Sequence, residues 1–171
     1  MFALILACTT PSEIEEQPAE LPDAWVEHYS AESLIQAGGF EFEEAYIVRR
    51  FLDPGAGSIR EEFIATADGT LTEVYLDVDP SAESFTLSFS DESYQGTGTF
   101  EGPAWAWTGW RSESVAPDGA SVISVDTMQD GAIHAEKEGF SAEGELEWTL
   151  VEDLSPIEET VWQQEKDALD G

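Results

Sequence analysis

One short segment carries the most specific chemistry in this sequence. Pro103-Ala104-Trp105-Ala106-Trp107-Thr108-Gly109-Trp110-Arg111 alternates so that, on a strand, Trp105, Trp107, Gly109 and Arg111 share one face. Ala106, Thr108, Trp110 and Ser112 share the other. Two indoles beside a guanidinium make an apolar wall with a fork that can grip a carboxylate through two hydrogen bonds. Trp105, Trp107 and Arg111 are therefore the expected ligand-binding residues, for a medium-chain fatty acid or similar amphiphile. The competing reading is core filling by the indoles, with Arg111 paired to a neighbouring Glu. The opposite face would bring Trp110 inward and leave Arg111 in solvent.

Other chemistry-bearing groups are less specific. Arg49, Arg50 and Arg60 flank the turn Asp53-Pro54-Gly55-Ala56-Gly57, and Glu43, Glu44, Glu61 and Glu62 stand close enough to neutralise them. His134, Glu136 and Glu138 alternate on one strand face, where an imidazole and two carboxylates could begin a metal site. In a chain so rich in Glu that spacing arises by chance, so a solvated outer face is expected and no metal is assigned. Carboxylate pairs such as Glu61/Glu62 and Glu145/Glu147 are too common here to mark acid-base catalysis. Gly139-Phe140-Ser141-Ala142-Glu143-Gly144 has one residue too many for a nucleophile elbow. Gly96-Thr97-Gly98-Thr99-Phe100-Glu101-Gly102 misses the dinucleotide fingerprint by one position, and no helix is expected after it. Its glycines read instead as bulge or barrel-corner positions. No catalytic residue and no cofactor is expected.

Composition narrows the partners. In 171 residues, 37 Asp plus Glu stand against 6 Lys plus Arg, a formal charge of −31. Such a surface cannot collect phosphates by counterion release, which excludes nucleic acid and direct adsorption to anionic head groups. The single Cys cannot form an intramolecular disulfide, so the fold must rest on its core; 42% hydrophobic and 11% aromatic residues can supply one.

That Cys stands at the end of the apolar leader Met1-Phe2-Ala3-Leu4-Ile5-Leu6-Ala7-Cys8, far shorter than the roughly 20 residues a spanning helix needs. Directly after it, Thr9 to Ala24 holds three Pro, five acidic residues and no base, the composition of a solvated tether. Ile5-Leu6-Ala7-Cys8 resembles the lipobox of bacterial lipoproteins. The resemblance implies that residues 1–7 are the remnant of a signal peptide and that Cys8 is acylated and becomes the mature N-terminus. It also implies a cell-envelope protein held at the periplasmic or outer membrane face by lipid, with residues 8–24 as lipidated Cys and tether.

Residues 25–171 are expected to form one domain. Between Asp23 and Gly39 the spacing predicts one or two short helical pieces, with Ser30 capping Ala31 to Ala37. From Phe40 to Val151, short runs rich in Val, Ile, Thr and aromatics alternate with Asp-Gly, Gly-rich and Pro-containing turns, predicting an antiparallel meander of eight to nine strands. One of them, Trp105 to Val115, carries the tryptophans; another, Leu71 to Val78, should bury Val74, Leu76 and Val78 on one face. Ser155-Pro156-Ile157-Glu158 reads as a helix start, predicting a helix over about 156–168 with Ile157, Val161, Trp162 and Leu169 on its apolar side. Serial hairpins of this number leave exposed edges unless they close, so the expected class is mainly β, an up-and-down barrel with a C-terminal helix. In outline this resembles lipocalin-like, calycin-type barrels, which implies a non-enzymatic protein holding a small apolar or amphipathic ligand in its lumen. Two other readings remain open on the sequence: an interaction or structural lipoprotein with a filled core and a basic partner, and an enzyme acting on a small hydrophobic substrate.

Overall fold

A computed structural model describes residues 21–103 and 105–169. Cys8 and most of the expected tether lie outside the described residues. Ten antiparallel strands follow one another in sequence: β1 (Trp25–Ala37), β2 (Phe40–Asp53), β3 (Ser58–Ala65), β4 (Leu71–Asp79), β5 (Ser84–Phe89), β6 (Gln95–Glu101), β7 (Gly109–Val115), β8 (Ser121–Gln129), β9 (Ala132–Phe140) and β10 (Leu146–Pro156). Each strand pairs with its chain neighbour, and β1 pairs with both β2 and β10, so the sheet closes on itself as a barrel with no free edge. Among the described residues a single helix, α1 (Glu159–Leu169), follows. No helix among the described residues is long and apolar enough to cross a membrane.

Turn chemistry explains the meander. Gly57, Gly69, Gly119 and Gly131 take φ between 66° and 95° in the links after β2, β3, β7 and β8, a backbone region that costs glycine nothing and other residues strain. Strand β4 buries Val74, Leu76 and Val78 and exposes Tyr75 and Asp77, as the alternation requires.

Three expectations need correction. The segment expected to be helical is β1, and its burial alternates through Tyr29, Ala31 and Ser33. Its Ala, Glu, Leu and Gln content favours a helix locally, but two ladders of tertiary hydrogen bonds override that weak preference. Strand β7 begins at Gly109, not Trp105: residues 102, 103 and 105–108 belong to no strand, and Trp105 adopts φ 65° and Gly102 φ 99°. Helix α1 begins at Glu159, not near Pro156: Ser155 and Pro156 still pair with Ser30 and Tyr29 of β1. Proline, lacking a backbone donor, is tolerated at such a strand end. The helix is anchored by Trp162, 1% exposed, which packs on Ile47 and Ile64 on the outside of the barrel.

The core is divided. At one end of the lumen Leu52, Ile59, Val78, Phe85, Phe100 and Trp107 form a packed floor, with Trp25 and Trp105 against it. Gly96 and Gly98 make room here: a Cβ on Gly96 would fall 2.1 Å from the Glu113 carbonyl oxygen, and one on Gly98 would fall 2.2 Å from the Phe85 ring. These are close approaches between neighbouring strands, and the ladders run through both glycines in regular register.

Candidate functional site

Above this floor the lumen is not filled. A cavity of about 280 Å³ lies within it. Apolar side chains in its lining include Phe63, Val74, Leu76, Phe85, Leu87 and Phe89 of β3, β4 and β5. Polar groups share the lining: Arg50, Glu61, Asp126, Lys137 and Glu152, with Ser112, Ser114 and Ser124. Trp110 and Ile133 also line it.

Strand register places the polar groups. Arg50 of β2 stands opposite Glu61 of β3, and Ser124 of β8 opposite Lys137 of β9. Arg50 is 3% exposed. It donates to Glu61 Oε1 at 2.5 Å, lies 3.7 Å from a Glu27 oxygen, and sits over the rings of Trp110 and Tyr29 at 5.1 and 5.5 Å. Its Nη1 is buried without a hydrogen-bond partner among the described residues; the nearby rings attract the charge of the group. Lys137 Nζ donates to Glu152 Oε2 at 2.8 Å, and Ser33 Oγ donates to Glu152 Oε1 at 2.9 Å. Burial works against the charge on both cations, but the carboxylates outweigh it: Glu61 foremost for Arg50, Glu152 then Asp126 for Lys137. Both pKa values end above the ordinary range, so both groups stay charged.

Asp126 is the exception. It is 7% exposed, and its one side-chain hydrogen bond among the described residues comes from Ser124 Oγ at 2.6 Å. Burial pushes its pKa up to about 6 from the ordinary 3.8, against the pull of Lys137 and the Ser124 hydroxyl. Between those two values the native state holds a proton that the unfolded chain has released. The contribution of Asp126 to stability is thus complete below about 3.8 and is lost as pH rises through about 6. The full difference, with the pull of Lys137 already included in it, corresponds to roughly 3 kcal/mol. Asp126→Asn is expected to raise stability by about 1 to 3 kcal/mol at pH 7.5 and to leave it nearly unchanged at pH 4. Urea unfolding at the two pH values reads this directly, and an equal effect at both would show that Asp126 does not titrate in this way.

The sequence-predicted residues are dispersed. Trp107, 8% exposed, stacks on Phe100 at 4.3 Å between ring centroids, and Trp105 lies 5.6 Å from Trp107; both belong to the floor and neither lines the cavity. Arg111 points outward from β7 and is exposed. The three do not share a lumen wall, because the chain leaves the strand before Gly109 and the face of β7 that turns inward carries Trp110, Ser112 and Ser114. The three clustered arginines also separate. Arg50 enters the lumen, whereas Arg49 and Arg60 stay outside, both bonded to Glu62, with Arg49 4.4 Å from the Trp162 ring. His134 lies on the outer face, with Nδ1 2.7 Å from Asp153.

Sequence reasoning missed Asp126, Lys137 and Glu152. The signal available was Val122, Ser124, Asp126 and Met128 on one face of β8, but Ile123 and Val125 on the other face point the opposite way. Hydrophobicity therefore does not choose between them.

The class that fold and site define together is a closed ten-strand antiparallel barrel whose mainly apolar lumen also carries charged side chains. No protein-family model matches the chain, and no curated protein matches it significantly.

Proposed function

We propose that this is a lipocalin-like lipoprotein of the cell envelope, anchored through Cys8, whose barrel binds a small amphipathic ligand without transforming it. The observation that carries the binding is the mixed lining of the cavity: apolar side chains, chiefly from β3, β4 and β5 with Ile133, Leu150 and Leu154, share it with charged and hydroxyl groups from β2, β3, β7, β8, β9 and β10. A ligand with one apolar and one polar end can satisfy both at once. The anchor is supported by the sole Cys standing between an apolar leader and a Pro/Glu tether. Lipid also suits the charge of −31, since acyl chains hold a protein that anionic head groups repel.

Each half has its own test. Cells expressing the native chain with a radiolabelled fatty acid should yield labelled, membrane-associated protein, whereas Cys8→Ser protein should be unlabelled and released. Equal fractionation of the two would refute the anchor. Calorimetric titration with amphiphiles of graded size should give saturable binding at one site per chain. Trp110 lines the cavity, so its emission should change on binding, and Trp110→Phe should remove that change.

A further inference from the structure

We infer that the lumen selects a cationic head group, a small primary amine on an apolar tail, with its ammonium donating to Asp126. This rests on the reading that the lumen binds an amphiphile, and it names the class of that ligand. The argument is one of charge. Glu61, Asp126 and Glu152 line the cavity against Arg50 and Lys137. Arg50 is bonded to Glu61 and Lys137 to Glu152, so Asp126 is the carboxylate left over. Glu27, on the other side of Arg50, adds a further negative charge near the site. In a space walled by Phe85, Leu87 and Trp110, an uncompensated carboxylate is poorly solvated, and an arriving cation restores what burial removed. An anion would set a second uncompensated negative charge beside the first, within a protein whose total is already −31.

Geometry agrees. Asp126 stands opposite Trp110 across the β7–β8 ladder, so an ammonium at the carboxylate lies beside an indole that can share its charge. Ser124 occupies Asp126 Oδ2 and leaves Oδ1 without a side-chain donor. Around Asp126 the charged groups are Lys137 on β9, Arg50 on β2, Glu61 on β3 and Glu152 on β10. Burial raises the pKa of Asp126 although Lys137 and Ser124 pull it down. A cavity of about 280 Å³, at roughly 30 Å³ per water-sized group, holds about nine non-hydrogen atoms, the size of octylamine.

The experiment compares octylamine, 1-octanol and octanoate by calorimetry on the folded protein at pH 7.5 in 150 mM sodium chloride. Octylamine is expected to bind about ten- to a hundredfold more tightly than the alcohol, the value of one charge-assisted hydrogen bond, with octanoate weakest. Asp126→Asn should bring octylamine to the level of the alcohol and leave the alcohol unchanged. Near pH 6, titration in two buffers of different ionisation enthalpy should show proton release for the amine, none for the alcohol, and none in Asp126→Asn. Tighter binding of alcohol or octanoate would overturn the cationic head group while leaving the amphiphile reading intact. An amine preference that survives Asp126→Asn would overturn Asp126 as its acceptor. Failure of all three probes to bind would overturn this inference and the ligand-binding reading together.

Discussion

Glu61→Leu is expected to cost about 3 to 5 kcal/mol of folding stability, whereas Arg50→Met combined with Glu61→Leu should come within about 1 kcal/mol of the wild type. Arg50 has 4% and Glu61 13% of its side-chain surface exposed, so each has left most of its hydration behind. Their mutual attraction offsets that loss. Removing the carboxylate alone strands a guanidinium that already has one buried donor unpartnered among the described residues, with Glu27 at 3.7 Å as its nearest remaining anion. Removing both charges takes away the penalty together with the attraction, and two apolar side chains refill the space beside Trp110 and Tyr29. Urea unfolding of the wild type, the single variant and the double variant separates these outcomes. A single variant as stable as the wild type would mean that water in the cavity hydrates Arg50 adequately, and a double variant as unstable as the single would mean that packing, not charge, is what Glu61 supplies.

Trp107→Ala should cost about 3 to 5 kcal/mol, because the side chain is 8% exposed and fills the barrel floor between Phe100 and Trp105. Truncation would open the floor at the end where Leu52, Ile59 and Val78 now pack and join it to the cavity above. Trp107→Phe keeps an aromatic ring on Phe100 and should lose much less, about 1 to 2 kcal/mol. Arg111→Ala is a useful contrast: its side chain stands in solvent on the outer face, and its loss should change stability by less than about 0.5 kcal/mol. Thermal or denaturant unfolding of the three variants tests the ordering. A Trp107→Ala protein as stable as Arg111→Ala would refute the floor.

Much of the fold is legible locally. The turns after β2, β3, β7 and β8 are written as Gly-containing links whose glycines take positive φ. Strand β4 spells its buried face in Val74, Leu76 and Val78. Barrel closure follows from the need of serial hairpins to cover their edges, and the ten strands exceed the expected eight to nine because β1 was hidden by residues of helical preference. The strand boundary before Gly109 was equally hidden. An aromatic run reads as strand in isolation, and only the apolar partners Trp25 and Phe100 draw Trp105 and Trp107 out of the wall.

The sequence by itself determined the acidic excess, the single Cys, the meander of strands and the two-residue alternation along each of them. Only the tertiary structure decided which face of each strand turns inward. On β7 the alternation separates Arg111 and Glu113 from Trp110, Ser112 and Ser114, and on β8 it separates Ile123 and Val125 from Ser124 and Asp126, but neither strand states which set is enclosed. Closure supplies the answer because each strand's register is locked to its neighbours on both sides. Once β2 places Val48 and Leu52 in the core, Arg50 must enter the lumen with them, and the inward positions of β3 to β10 follow around the ring. The polar groups gather where those inward positions happen to be Glu61, Asp126, Lys137 and Glu152, residues spread over some ninety positions of chain and brought together only by the closed ladder.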